Sequence, residues 1–486
     1  MGLTSALNTA SSIFSNTSAQ MAVVSKNISN SGNADYSRRD AALTTTINGA
    51  KLNPTVRSQD TLLQRHNLTA TSALSAQNVL SGGLDQLQGA MGGNGYATAP
   101  STYISKLEGS LQAFAASPGN TTLAQSVVSD AKDVANSLNQ ASQAVQDLRR
   151  ESDENISQNV STLRDLLSQF QTLNDAVKAG TASNRDVNDE LDKRDQVLGK
   201  ISEIVGVQTV VRDNNDVAIY TSDGTTLFEA KPRDIIFSPQ PGYDATTTGN
   251  AVYIDGVPLK PGTGGNTSAM GSLQANLQIR DTIAPKFQAQ LDEIGRGLVT
   301  QFAEKDQTSS GLPNKPGLFT WSGGNVPAAG TVQPGISSSI SVNAAVDISV
   351  GGNPTKLRDG GINGASYVAN TTGAAGFSTL LQGYVTGLTT KIPFDGTTDL
   401  NTSLSVSDYA SSSIGWLEEY RSQASDSKDT KKAAAATASQ ALLSVTGVSL
   451  DEELSKLLDL EQSYKASTKI VSTVNDMLQS LMAAVR

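Results

Sequence analysis

The clearest pattern along the chain is a regular row of apolar positions at its N-terminal end. Small or apolar side chains recur there at alternating spacings of four and three residues, opposite a face of Ser, Thr, Asn and Gln. The row consists of Leu3, Leu7, Ala10, Phe14, Thr17, Met21, Val24 and Ile28. This spacing predicts an amphipathic helix with a heptad seam, which ends in the turn-forming segment 30–33.

The C-terminal end carries a second and stronger seam. Its members are Leu450, Leu457, Leu460, Tyr464, Val471, Val474, Leu478, Leu481 and Val485, and Glu453 and Ser467 interrupt one of its two rows. Ser449 is the predicted N-cap of this helix, with Glu452 as its capping-box partner. The pattern leaves two partners open for the terminal seams. They pack within their own chain, for example as a hairpin, or they join helices of other copies in a coiled-coil tube, and isolated helices of this kind are marginal.

Between the ends, the heptad spacing returns over residues 122–179, as one helix or as two end to end. Candidate helical partners are residues 61–87, 191–204, 273–302 and 414–443. At Val205 the period changes to two, and the turn-forming residues 213–216 separate the alternating runs 205–211 and 217–221. This pattern predicts a hairpin within a small β unit over residues 205–269. Residues 311–396 are rich in Gly, Ser, Thr and Asn, with short β-like runs at 339–342, 346–350 and 367–369, and are predicted to form a β-rich domain.

These patterns predict a mainly α-helical, elongated, multidomain chain with inserted β domains. The terminal helices, residues 1–45 and 445–486, are expected to pair as an inner coiled-coil domain. Residues 46–204, 270–310 and 397–444 form the predicted helical-bundle middle domain, residues 205–269 are the small β unit attached to it, and residues 311–396 are the β-rich outer domain. The nesting brings the two termini together at one end.

Composition excludes several classes of function. The 486 residues include no cysteine and one histidine, His66, which rules out thiolate catalysis, disulfides and cysteine zinc sites. The net charge of −10, with no basic tract, argues against nucleic-acid binding. No run of 18 apolar residues is present, and the N-terminus lacks the features of a cleaved signal peptide, so no membrane insertion is expected.

Candidates for catalysis are weak, and no catalytic residue, cofactor or metal is predicted. The adjacent acids Glu418 and Glu419, and those at 451–453, point in different directions on a helix, so solvated helix faces explain them better than an acid–base pair. The glycine-rich segment 92–95 lacks the spacing of a phosphate-binding loop. His66 follows Gln64-Arg65 on a predicted helix and is interpreted as a surface or interface residue.

The segment after the first helix carries a family resemblance. Residues 25–39 read SKNISNSGNADYSRR, which resembles the signature of bacterial flagellar axial proteins. The matching residues are Asn27, Ile28, Asn30, Tyr36, Ser37 and Arg38. The family has a Pro-Gly step where this chain has Ala34-Asp35, and a Pro-Gly turn tolerates a positive φ that Asp35 accepts less readily.

Three further segments narrow the resemblance to the flagellar hook-associated protein 1 family. They are residues 107–177, residues 188–207 around Leu191-Asp192-Lys193-Arg194-Asp195, and the C-terminal segments 447–453 and 462–467. The resemblance covers about the first 270 and the last 90 residues. It implies a structural protein at the junction of hook and filament that allows filament growth. Its location would be the extracellular flagellum, reached by type III export without a cleaved signal peptide.

The resemblance also implies partners and roles for the marked residues. Copies of the chain would pack head to side, as an open helical or ring assembly. Hook protein, a second junction protein on the filament side, a cytosolic export chaperone and the type III export apparatus would be partners. The chaperone would hold the C-terminal seam, and the signature residues, Tyr36 and Arg38 above all, would make lattice contacts. The alternatives are another axial protein of hook or filament type and, with far less support, an exported enzyme or adhesin acting through residues 311–396.

Overall fold

The computed structural model describes residues 3–46 and 49–484 of the chain. The side chains of residues 3–6, 45, 46, 49 and 481 lie outside this description. Two predicted seam side chains, Leu3 and Leu481, and the whole of Val485 therefore lie outside the described residues.

Helices dominate the described residues. The α-helices are α1 Leu3–Ser29, α2 Thr61–Ala90, α3 Pro100–Ala116, α4 Thr121–Ala182, α5 Asn188–Ile204, α6 Ser272–Gln278, α7 Ala284–Gln301, α8 Ile336–Ser339, α9 Lys356–Asp359, α10 Thr379–Thr389, α11 Val406–Thr446 and α12 Leu450–Ala484. A π-helical turn, Ile279–Ile283, joins α6 to α7. The helical part of the predicted fold class is confirmed, since every helix expected from the heptad and apolar patterns is present.

The strands are short and form small antiparallel sheets. They are β1 Arg39–Asp40, β2 Leu43–Thr46, β3 Gly49–Leu52, β4 Val56–Arg57, β5 Val207–Val211, β6 Val217–Thr221, β7 Thr226–Phe228, β8 Ile235–Ile236, β9 Tyr253–Ile254, β10 Val257–Pro258, β11 Phe319–Thr320, β12 Ser341–Val342, β13 Ile392–Pro393 and β14 Ser403–Leu404. The three-stranded sheets have the orders β5-β6-β7 and β10-β9-β8. The two-stranded sheets are β1-β4, β2-β3, β11-β12 and β13-β14.

The long central pattern is one helix, α4, of 62 residues. It begins where the Asn120 side chain accepts a hydrogen bond from the backbone N–H of Thr122, at 3.0 Å, as an N-cap residue does. Its apolar row is buried at each successive turn, from Val127 through Leu138 to Ile156. The heptad pattern therefore predicted both the helix and its buried face.

The chain divides into two compact units. The first comprises Met1–Leu74, Thr162–Asp234 and Lys431–Arg486, and the second comprises Ser75–Ser161 and Ile235–Thr430. The four-segment division of the sequence stays a prediction. Each unit has buried apolar side chains of its own.

In the first unit, the sheet β5-β6-β7 packs on helices α4 and α5. Phe170 of α4 meets Phe228 of β7 edge-on, with ring centroids 5.1 Å apart. Asn174 of α4 holds the β5–β6 turn, because its amide donates to Asp216 at 2.6 Å and accepts from the backbone of Val217 at 3.1 Å. Arg194 of α5 donates to the same Asn174 at 2.9 Å, and burial lowers the pKa of its guanidinium to about 10.

In the second unit, α7 is enclosed by other segments over most of its surface. Its apolar side chains, among them Phe287 and Leu291, share one core with α3, α10 and the first part of α4. Buried polar side chains on the same helix are paired. Arg296, 1% exposed, forms a salt bridge of 2.7 Å with Glu293, and Asp292 accepts a hydrogen bond of 3.0 Å from the backbone of Ser337.

A buried ionic cluster ties an irregular segment to the helices of this unit. Arg280, in the π-helical turn, has no exposed surface and forms a salt bridge of 2.6 Å with Asp153 of α4. Asp153 also accepts a hydrogen bond from the Tyr243 hydroxyl at 2.7 Å, and Arg280 donates to the Asn250 carbonyl at 2.7 Å. The segment 240–250 is therefore fastened by polar contacts in place of a sheet.

The expectation of a β-rich outer domain at residues 311–396 is wrong. Its strands are two residues long, and the predicted runs at 346–350 and 367–369 form 3-10 turns or irregular chain. The apolar residues of the segment, such as Phe319, Ile336 and Leu357, are buried in the same core as α7. Its many glycines serve turns, since nine of them, from Gly311 to Gly373, have positive φ.

The helical region Val406–Ala484 contains one stretch that is long and apolar enough, by length and composition alone, to cross a membrane. Only 11% of the stretch is buried. It includes the alanine run 433–436, and alanine-rich helices of soluble proteins meet the same criterion. The absence of membrane insertion stays a prediction.

Candidate functional site

The two terminal helices pack against each other in the first unit. Phe14 of α1 contacts Tyr464 of α12, with ring centroids 4.7 Å apart. Asn27, near the end of α1, contacts Glu453, near the start of α12. Because a later position on α1 meets an earlier position on α12, the pair is antiparallel. The terminal seams thus find a partner within the chain.

Small and polar side chains form the buried row of this pair. On α1 the buried positions are Ala10, Thr17, Val24 and Asn27, and on α12 they are Glu453, Ser467 and Val474. The bulkier seam residues are less covered. Leu7, Met21, Ile28, Leu457, Leu460, Tyr464, Val471 and Leu478 are half-buried, while Phe14 and Leu450 are exposed. Close approach of two helices requires small side chains between them, so bulky ones are displaced to the sides of the contact.

An exposed apolar row runs along the first half of α12. Leu450, Leu454 and Leu458 lie one helical turn apart and are 47%, 46% and 61% exposed. Ile470, Met477 and Met482 are also exposed further along the helix. Exposed apolar rows of this kind mark surfaces that bind another protein.

The side-chain amide of Asn27 is fully hydrogen-bonded and completely buried. Its Nδ2 group donates to the Arg39 carbonyl at 2.8 Å and to Glu453 Oε2 at 2.9 Å. Its Oδ1 atom accepts from the Tyr36 hydroxyl at 2.8 Å and from the Arg39 backbone N–H at 3.1 Å. All four hydrogen bonds of the amide are made, and they join α1, the turn after it, β1 and α12.

Two buried arginines connect the strands β1 and β4 to an acidic row on α5. Arg39 of β1 forms salt bridges of 2.6 Å with Asp189 and 2.8 Å with Asp192. Arg57 of β4 forms salt bridges of 3.0 Å with Asp192 and 2.6 Å with Asp195. Asp192 is therefore shared by both arginines, which face each other across the β1–β4 pair. This acidic row belongs to the segment 188–198 that carried the family resemblance.

Charge and burial shift several pKa values in this cluster. Burial raises the pKa of the Tyr36 hydroxyl to about 12. For Asp189, burial acts to raise the pKa, but hydrogen bonds from Arg39 and Lys26 outweigh it and hold the pKa below its ordinary value. The guanidinium of Arg39 has a raised pKa, because its bonds to Asp189 and Asp192 outweigh its desolvation. The cluster therefore favours an uncharged Tyr36 beside a charged pair of Arg39 and Asp189.

The predicted signature residues fall into two groups. Asn27 and Tyr36 are buried within the chain, while Ile28, Asn30, Ser37 and Arg38 keep part of their surface exposed. Arg38 forms a salt bridge of 3.1 Å with Glu452 on the first turn of α12, and its backbone N–H donates to the Thr446 carbonyl at 2.7 Å. The structure thus places the signature at the base of the terminal pair, and its lattice contacts stay a proposal.

Sequence reasoning missed the role of the acidic row and of Glu453, which had only the appearance of a break in the seam. The predicted N-cap is present, with Ser449 Oγ accepting from the Glu452 backbone N–H at 3.4 Å. The Glu452 side chain, expected to complete a capping box, pairs with Arg38 at 3.1 Å instead. An acid at a seam position, combined with an asparagine on the other terminal helix, was the available signal. Neither strand β1 nor strand β4 was predicted, so Arg39 and Arg57 had no evident partner.

The weak catalytic candidates are bound in local contacts. Glu418 accepts hydrogen bonds from Arg421 at 2.6 Å and from the Tyr96 hydroxyl at 2.5 Å, and these bonds, that of Arg421 first, lower its pKa to about 2. His66 is exposed. The acids of residues 311–396 bind separate partners, Asp347 with Lys132 and others with neighbouring turns. Among the described residues no group of three or more acidic or histidine side chains is placed to hold a metal.

Comparisons with known proteins agree with the sequence resemblance. A profile described as the flagellar hook-associated protein FlgK helical domain matches residues 84–319. A second, described as the flagellar basal body rod FlgEFG protein C-terminal, matches residues 439–484. Together these matches include the whole of α12, residues 162–234 of the first unit and most of the second unit as far as Phe319.

The curated relatives that match this chain are all described as flagellar hook-associated protein 1. Flagellar hook-associated protein 1 of Salmonella typhimurium is 26% identical over 160 residues, 31% of this chain and 29% of the relative. The protein of the same name from Escherichia coli is 24% identical over 272 residues, 52% of this chain and 48% of the relative. The matches therefore span less than half of the length of these relatives.

Among solved structures, the flagellar hook junction protein FlgK from Burkholderia pseudomallei resembles this chain with a TM-score of 0.42 and 20% identity, over 53% of this chain and 46% of that one. The family assignment does not depend on that likeness. It rests on the two profiles and the curated relatives, which agree with the signature at residues 25–39 and support the resemblance of the chain to the flagellar hook-associated protein 1 family.

Proposed function

We propose that this chain is a structural subunit of the bacterial flagellum that assembles between hook and filament and allows the filament to grow. The observation that carries the proposal is the antiparallel pair of terminal helices, whose exposed apolar row at Leu450, Leu454 and Leu458 is left for another protein to cover. A monomeric soluble protein gains nothing from such a row, whereas a subunit of a repeating assembly buries it against its neighbours.

In this proposal the terminal pair is the inner layer of the assembly. Copies pack head to side, because one surface patch meets a different patch on the next copy, and this geometry gives an open helical or ring assembly. The polar outer face of α1 lines the export channel, where Ser, Thr, Asn and Gln side chains contact unfolded cargo without binding it tightly. The partly exposed signature residues Asn30, Ser37 and Arg38 contribute lattice contacts at the base of the pair.

The finer partners belong to the same proposal. Hook protein lies on one side and a second junction protein on the filament side. Before export, a cytosolic chaperone covers the C-terminal seam, because α12 exposes Leu454, Leu458 and Met477 and would otherwise associate in the cytosol. The chain then passes through the type III export apparatus without cleavage and functions in the extracellular flagellum, as a structural protein and not as an enzyme.

The decisive experiment is deletion of the gene in its host, followed by electron microscopy of the cell surface. We expect bare hooks, with unassembled filament protein in the medium. Normal filaments would refute the junction role and would favour an adhesin or exported enzyme.

A surface variant tests the observation directly. In the deletion strain, Leu454→Ser combined with Leu458→Ser is expected to abolish filament formation, since it removes two of the three side chains of the exposed row without touching the buried row. Leu62→Ser is the matched control, because Leu62 is 68% exposed on α2, outside the terminal pair. Equal filament numbers in the two strains would exclude this row as the assembly surface.

A further inference from the structure

The heptad seams of the terminal helices do not by themselves fix how the helices align. Apolar residues recur every seven positions on α12. Sliding α12 by one heptad, about 10.5 Å, would therefore replace Tyr464 beside Phe14 by Leu457 or by Val471, depending on the direction of the shift. The new contacts are again apolar. Burial of apolar area therefore discriminates poorly between the observed alignment and its shifted alternatives.

One contact in the buried row is not repeated. Glu453 is completely buried at a seam position, and its Oε2 atom accepts a hydrogen bond of 2.9 Å from Asn27 Nδ2. Its Oε1 atom lies 3.4 Å from the ammonium group of Lys456. Seven residues later the same row holds Leu460, which offers no acceptor. A shifted α12 would leave the Asn27 amide buried without its partner.

We propose that the Asn27–Glu453 contact determines the register of the two terminal helices. A buried polar pair in a helical seam contributes little net stability compared with an apolar pair, but it disfavours every alignment that separates its members. Tyr36 and the Arg39 backbone complete the hydrogen bonding of Asn27 and fix the orientation of its amide towards α12. The interruption of the C-terminal seam at Glu453 is thus the feature that specifies alignment.

Register matters because it sets where the exposed row begins relative to the signature. Glu452 binds Arg38 and Glu453 binds Asn27, so the first turn of α12 is held beside the base of α1, and Leu454 and Leu458 take fixed heights above it. The inference concerns a single chain and holds whether or not the chain assembles as proposed.

The absence of cysteine makes a direct test possible. In the full-length chain, Phe14→Cys is combined either with Tyr464→Cys, which reports the observed register, or with Val471→Cys, which reports a shift of one heptad. A short dimaleimide links the thiols, and mass spectrometry of digested peptides measures each yield. A mixture of isotope-labelled and unlabelled chains identifies links within one chain, so failure of assembly cannot be mistaken for loss of register.

We expect the observed-register link to predominate in the parent chain. With Glu453→Leu, the ratio of observed-register to shifted links should fall by about tenfold. One buried hydrogen-bonding group left without its partner changes the equilibrium between two alignments by roughly this factor or more. Glu453→Gln keeps an acceptor for Asn27 and should preserve the ratio. Ser467→Ala is the matched control, because Ser467 is buried in the same row and, among the described residues, its hydroxyl donates to the Ser463 carbonyl of its own helix.

Two results would overturn the proposal. One is an unchanged ratio in Glu453→Leu, and the other is the absence of observed-register links within single parent chains. Circular dichroism separates loss of register from loss of helix in Glu453→Leu. If that variant loses helical content, the double variant Asn27→Leu with Glu453→Leu replaces the polar pair by an apolar one, and it should give both links in similar amounts.

Discussion

Asp192 should be the most sensitive acid of the row on α5. It is 10% exposed and accepts from Arg39 at 2.8 Å and from Arg57 at 3.0 Å, and both arginine side chains are almost fully buried. Asp192→Asn keeps the shape but removes the charge that both guanidinium groups share. Breaking a buried ion pair by removing one partner typically costs about 3–5 kcal/mol. The lower end, about 3 kcal/mol, applies here because Arg39 keeps Asp189 and Arg57 keeps Asp195.

The assay is hydrogen exchange of the β1 and β4 segments in the full-length chain. The Ser58 backbone N–H donates to the Arg38 carbonyl at 2.7 Å, so its exchange reports opening of this pair of strands. A loss of about 3 kcal/mol corresponds to exchange that is faster by about 100-fold. Asp189→Asn is the control, since Asp189 is 59% exposed and an exposed ion pair contributes about 0–1 kcal/mol.

Salt provides a second comparison for the same two variants. Ions screen the exposed charge of Asp189 far more than the buried one of Asp192, so the effect of Asp192→Asn should persist at high ionic strength while that of Asp189→Asn disappears. Equal acceleration of exchange in the two variants would refute the reasoning, because burial would then not determine the cost.

Two further predictions concern the second unit. Gly249→Ala should lower its free energy of unfolding in urea by about 1–3 kcal/mol, because a Cβ atom at Gly249 would collide with the Arg280 guanidinium. Gly242→Ala is the control and should be neutral, because a Cβ atom at Gly242 would enter open space. Stability of the parent unit should fall as the pH drops from about 5 towards 2, since the Arg421 guanidinium holds the pKa of Glu418 at about 2 in the fold, against about 4.3 in the unfolded chain. A carboxyl group with a lowered pKa stabilises the fold at pH values above its pKa in the unfolded chain, and this stabilisation is lost as the pH falls towards its pKa in the fold. Glu418→Gln should therefore flatten this part of the profile of stability against pH. An unchanged slope would contradict the assignment.

Periodicity predicted the helices well because helix burial follows a fixed angular repeat. Helix α4 was expected over residues 122–179 and spans Thr121–Ala182. The hairpin of β5 and β6 was expected from alternation and a turn signal, and it is present. Both are local patterns in which neighbouring residues determine the structure.

The sequence-based predictions failed where contacts between residues distant in sequence determine the structure. Residues 311–396 contain turn-forming glycines and isolated apolar residues, a composition that suits a β domain equally well, and only their burial against α7 distinguishes the two. The seam pattern placed Leu450 and Phe14 inside the terminal pair, and the structure leaves both exposed. It buries Ala10 and Thr17 of the predicted row, together with Ser467, which interrupts the predicted C-terminal seam, because the distance between the helices selects small residues.

The contact between Asn27 and Glu453 joins residues 426 positions apart, and this separation has a consequence for timing. At roughly 5–20 residues per second of synthesis, α1 exists for about 20–90 seconds before the start of its partner helix has been made. During that interval the Asn27 Nδ2 group lacks its Glu453 acceptor, and the α1 seam is not covered by α12. A chain that is cut short before α12 never forms the Asn27–Glu453 contact. Whether α1 is paired therefore shows whether synthesis has reached α12.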